Sequence, residues 1–87
     1  MEPQVKVNTR LMAKFIGNAY RADKAGIAEG SYFEQMVTAL LRNRLDWLPE
    51  GCPGILPALI QLVAHDEDWF HMMIEVSRLG LKKWWTH

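Results

Sequence analysis

The sequence predicts an all-α fold, a compact bundle of four short helices around a central apolar one. Three observations point to it. Residues 54–64, GILPALIQLVA, are apolar, Gly or Pro at ten of eleven positions, and Gln61 is the exception. A helix apolar on every side belongs among neighbours, and this one is well short of the ~20 apolar residues that span a bilayer. Elsewhere apolar residues recur at helical spacing, and nothing beyond the first few residues alternates like a strand. Finally, cap and stop residues bracket four segments, 9–25, 32–48, 55–65 and 67–79.

Residues 1–8 read as an extended arm, because Pro3 and the Val5/Val7 alternation carry no helical pattern. The single helical domain then covers 9–81, and 82–87 form a Trp-containing tail. Asn8 or Thr9 caps the first helix, whose stripe is Leu11, Met12, Phe15, Ile16, Ala19 and Tyr20, and Gly26 stops it. Ser31 and Glu34 make an S-x-x-E capping box for the second helix. Its inner face is Phe33, Met36, Val37, Leu40, Leu41 and Leu45, while Glu34, Gln35, Thr38, Arg42 and Asn43 point outward. Trp47 and Leu48 finish that helix and Pro49 ends it. PEGCPG, residues 49–54, is a turn, and Pro57 suits the first turn of the third helix. Asp66 caps the fourth, with Glu67 and Asp68 at its positive end. Trp69, Phe70, Met72, Met73, Ile74, Val76 and Leu79 form its apolar face, and Gly80 stops it.

Eighty-seven residues at 49% hydrophobic and 23% charged make one modest globular domain. Nine aromatics, four of them Trp, are many for so small a chain to cover alone, which leaves self-association open. Formal charge is zero but unevenly spread. Residues 1–24 set five cations against two acids, net +3; residues 25–77 set eight acids against Arg42 and Arg44, net −6; Arg78, Lys82 and Lys83 restore +3. Overall neutrality speaks against strong nonspecific nucleic-acid binding. Cys52 stands alone and no secretory pattern opens the chain, so the expected setting is a reducing cytoplasm.

No familiar catalytic pattern is present. His65, Asp68, His71 and Glu75 are the nearest thing to a metal or acid–base set, but the two His are six apart rather than four, and Asp66 interrupts the helix between them. Cys52 has no base nearby and reads as a small filler. No metal, cofactor or catalytic residue is assigned, and the chain reads as a non-enzyme. A helix-turn-helix would make residues 55–65 the recognition helix, yet only Gln61 there can address a base edge.

Two surfaces remain for partners. Arg10, Lys14, Arg21 and Lys24 share one face of helix 1, with Tyr20 beside it: a solvated face, or a basic ridge for an acidic surface. Lys82, Lys83, Trp84 and Trp85 form the second, either folded over the core or presented as an interface anchor. Either surface suits a homodimer. Membrane attachment is not expected, since Phe15 and Ile16 serve the core.

The short helical segments FIGNAYRADKAG and SYFEQMVTALLRNRLDWLPEG, with no catalytic motif between them, resemble the small helical accessory proteins of temperate bacteriophages and the chromosomal islands that parasitise them. The resemblance is one of style across the whole chain, and no functional residue is carried over from it. It implies a protein that binds a larger viral or host complex, such as a packaging or nucleic-acid-processing machine, and redirects or inhibits it. The alternative is a small homodimeric DNA-binding regulator that contacts phosphates through Arg10, Lys14, Arg21 and Lys24.

Overall fold

Most of the predicted helix ends are met by groups that satisfy orphan backbone atoms. A computed structural model of the protein describes residues 8–80. Its helices are α1 (Thr9–Ala25), α2 (Tyr32–Leu41), α3 (Ile55–His65) and α4 (Glu67–Leu79), with a 3-10 turn at Leu45–Trp47. The Asn8 side chain accepts from the Leu11 amide at 3.0 Å, and Asp66 accepts from the Asp68 amide at 2.9 Å. Gly26 closes α1 in the left-handed conformation at φ 76°, which a residue with a Cβ adopts only at a cost. The fold is therefore all-α, and no helix among the described residues is long and apolar enough to cross a membrane.

The core is drawn from all four helices. Phe15, Met36, Val37, Leu62, Met72 and Val76 are its largest fully buried apolar side chains. Trp69 meets Phe15 edge-on with ring centroids 5.2 Å apart, an arrangement that adds about 0.5–1.5 kcal/mol to simple burial. Helix α1 packs on α2 and α4, and α3 packs chiefly on α4.

The third helix is consequently not the centre. Only Ala58 and Leu62 of α3 are buried, whereas Leu56 and Ile60 are 71% and 69% exposed. The middle belongs to α2 and α4, whose Met36, Val37, Met72 and Val76 fill it. A domain this small has too few elements to surround one helix on all sides, so an apolar helix takes the edge and shows half its surface.

The second helix stops seven residues earlier than its apolar pattern predicts. Asn43 enters the left-handed region at φ 55°, and the Asn43 and Arg44 amides donate back to the Leu40 and Ala39 carbonyls at 3.2 and 2.9 Å. That pair of bonds is a Schellman closure, with Asn in the place usually given to Gly. The chain then turns through Leu45–Trp47 and seats Trp47 on Ala22, Ala28 and Ala39 as a second small core, with the Arg44 guanidinium 4.3 Å above its ring. Leu45, expected inside, is 54% exposed as a result.

Four other side chains depart from their expected faces. Tyr20, Ile74 and Leu79 are 44%, 45% and 36% exposed, Ala22 taking the inward position that the α1 stripe assigned to Tyr20. Thr38, expected outward, is 1% exposed, and among the described residues its hydroxyl has no hydrogen-bond partner. Cys52 is buried, its Sγ 3.7 Å from the Gly54 carbonyl oxygen.

Burying a hydroxyl without a partner is costly, so Thr38→Val, nearly equal in volume, is expected to raise unfolding stability by about 1 kcal/mol; a urea titration measures it, and a loss would mean that the hydroxyl is satisfied. Two exposed ion pairs set a pH response. The hydrogen bond from Arg44 lowers the Asp46 carboxyl below its ordinary range, and that from Arg78 does the same for Glu75. A lowered folded value contributes stability above the unfolded carboxylate pKa and loses it as pH falls through the folded one. Carboxyl-carbon NMR titration should show both groups ionising below a free carboxylate, and Arg44→Gln should return Asp46 to the ordinary value.

Candidate partner-binding surface

Helical spacing places Arg10, Lys14, Gly17, Arg21 and Lys24 along one outward row of α1. All four cations are exposed, yet they are not equivalent. Lys14 is turned toward its own protein, with its ammonium 3.8 Å from Glu34 and 5.4 Å from the Trp69 ring centre. Arg21 donates to the Asn18 side-chain carbonyl, and the Asn18 amide in turn donates to Glu34 at 3.2 Å. Glu34 thus collects Lys14 and, through Asn18, Arg21. Its Ser31 partner does accept from the Glu34 amide at 3.3 Å, but the Glu34 carboxylate ties α2 to α1 instead of completing the capping box.

Gly17 sits in this row for a visible reason. A Cβ there would lie 3.3 Å from Arg21 Nη1, so the missing side chain leaves room for the guanidinium to fold back along the helix toward Asn18. Arg10, at the helix start, makes no ion pair with the described residues.

The C-terminal half of α1 is where the row meets other chemistry. The Lys24 ammonium lies 5.3 Å from the Tyr20 ring centre, a cation–π distance. On the other side of the row a groove of about 220 Å³ runs between α1 and the loop that follows it, lined by Asn18, Arg21, Ala22, Ala25, Ile27 and Glu29. Ile27 is 56% exposed at its rim. Its neighbour Ala28 is buried against the Trp47 cluster, so the loop is pinned from beneath while Ile27 is held outward. Asp23, the acid within this half of α1, is taken up by Arg42, whose guanidinium meets it at 2.8 and 2.9 Å.

The structure therefore brings Tyr20 and Lys24 together, holds Arg21 on Asn18, sets Arg10 apart at the opposite end of α1 and engages Lys14 with Glu34 and Trp69. Lys82, Lys83, Trp84 and Trp85 lie outside the described residues. Sequence reasoning passed over Ile27, Asn18 and the second task of Glu34. An isolated Ile between Gly26 and Ala28 in a short linker was the available signal for the first.

Both histidines among the described residues meet aromatic rings. His65 stacks on Phe33 with centroids 3.8 Å apart and planes within 4°, and its edge faces Trp69; His71 meets Phe70. Among the described residues, no group of three or more His, Cys, Asp or Glu is disposed to hold a metal ion. Compared with protein-family models, curated proteins and solved structures, the chain matches none.

Proposed function

We propose that this chain is a non-enzymatic protein-binding module that modulates a larger complex by occupying one of its surfaces, and that it does so with the C-terminal half of α1. The observation that supports this reading best is the juxtaposition of Tyr20 and Lys24, with the neighbouring Arg21 lining a groove whose rim carries the exposed Ile27. Tyr and Arg are the side chains that most often anchor interfaces, because each offers a large contact area together with a directed polar end. Ile27 supplies an apolar contact beside them. The Arg21 and Lys24 charges select a partner that carries carboxylates and raise its rate of encounter. Pinning of the loop through Ala28 lowers the ordering cost that binding would otherwise meet. This is the mode of action implied by the resemblance to phage and satellite accessory proteins, with a packaging or nucleic-acid-processing machine as the larger complex.

The phosphate-binding alternative has less support. With Lys14 committed to Glu34 and Trp69, the row offers a duplex fewer cations than its sequence spacing implies, and affinity for a phosphate backbone grows with their number.

An affinity pull-down from native host lysate, washed with and without nuclease, tests the reading. The wild-type chain is expected to retain a stoichiometric protein partner through nuclease. The double variant Tyr20→Ala, Lys24→Glu should retain at least tenfold less of it while keeping its helical circular dichroism, since both positions are exposed. Recovery of nucleic acid alone, with all protein lost after nuclease, would overturn the proposal in favour of the DNA-binding regulator.

A further inference from the structure

The outer face of α3 is independent of the α1 surface and asks for a cover. Leu56, Ile60 and Val63 recur at helical spacing along it and are 71%, 69% and 39% exposed. Ile55 at 43% and Ile74 of α4 at 45% extend the patch, and the half-buried Leu59 joins Ile74 in a shallow groove of about 180 Å³ between the two helices. The chain carries no charged residue from Gly51 to Ala64. These fractions correspond to roughly 500 Å² of contiguous apolar surface, near the upper end of what a monomer exposes.

We infer that a second copy of this chain covers the face, by antiparallel pairing of α3 with α3 across a two-fold axis. Three properties argue for a copy over an unrelated partner. An isologous contact requires only that a patch complement itself, and an uncharged aliphatic stripe does so without matched charges. Ile60 is the midpoint of Ile55–His65, so an antiparallel pair seats Ile60 on its own equivalent at the axis and sets Leu56 against Val63 on either side. The area is that of a small interface, for two such faces expose about 1,000 Å² in total, at the low end of the size scale where weak, concentration-dependent dimers lie. Antiparallel α3 helices further place opposite dipole ends beside each other. Because α1 packs on α2 and α4 while α3 packs chiefly on α4, pairing through α3 leaves the α1 surface of each copy accessible, and the dimer presents two of them.

Sedimentation equilibrium of the full chain from about 1 to 500 µM decides the question, that range covering the affinities of interfaces at the small end of the size scale. The expected result is a concentration-dependent mass of two chains. Ile60→Asp should remain helical and weaken the dimer at least 100-fold, since it puts two carboxylates at an apolar axis. A second variant guards against a trivial outcome: Cys52→Ala combined with Ile60→Cys should cross-link under mild oxidation, because residues on the axis approach within disulfide reach. A wild-type monomer throughout the range would overturn the inference, with the face then covered by the chain's own terminal residues or by a different protein. A dimer that survives Ile60→Asp, or an Ile60→Cys variant that fails to cross-link, would equally overturn it. None of these outcomes bears on the Tyr20 surface, which the pull-down tests separately.

Discussion

A single residue, Asp66, joins two helices with no loop between them, and much of the architecture depends on it. Its amide donates to the Leu62 carbonyl at 2.9 Å and closes α3. Its carboxylate accepts from the Asp68 amide at 2.9 Å and opens α4, while its own carbonyl accepts from Phe70 at 3.2 Å. One residue thus ends one helix and starts the next, and its extended conformation, φ −164° and ψ 111°, sets the angle between them. The two helices are obliged to lie against each other. The aromatic contact of His65 with Phe33 and Trp69 gathers α2, α3 and α4 at that corner, and the Trp69–Phe15 contact brings in α1.

From this constraint follows the uneven way in which the chain distributes its apolar residues. Helix α4 is covered by α1, α2 and α3, whereas α3 rests mainly on α4. A bundle of four short helices has one helix side too many for its own core, and the excess emerges as the Leu56–Ile60–Val63 stripe. The cations of α1 are shared out in a comparable way. Lys14 and Arg21 converge on Glu34, directly or through Asn18, and so contribute to joining α1 and α2. Exposed pairs of this kind are worth roughly 0–1 kcal/mol each.

Much of this was legible before any coordinates. The limits of α1 and α4 and the end of α3 follow from local chemistry: Asn8, Asp66, Gly26 and Gly80 satisfy or release backbone groups where they stand, whatever surrounds them. The end of α2 was hidden because apolar periodicity continues through Leu45, Trp47 and Leu48, and it masked the weaker left-handed preference of Asn43. The burial of Thr38 and the edge position of α3 could not be read from periodicity. A helix apolar all round declares that its surface seeks cover but not which neighbour supplies it. At the candidate site the cation row was visible from its spacing. The separation of Lys14 from Lys24 was not, because it depends on how the loop 26–31 brings Glu34 against α1.

The Asp66 junction also bears on how this fold can vary in length. An inserted residue at 66 would part the amide that closes α3 from the carboxylate that caps α4, shifting Met72 and Val76 out of register with the core and undoing a helix end. Residues 42–54, by contrast, connect α2 to α3 through turns, and Asn43 and Gly51 there already hold positive φ. Lengthening that segment at the exposed Glu50 or Gly51 leaves the Asn43 closure of α2 and the start of α3 in place, so insertions are accommodated before α3 and excluded after it. The two ends of one helix thus differ sharply in their tolerance of added chain.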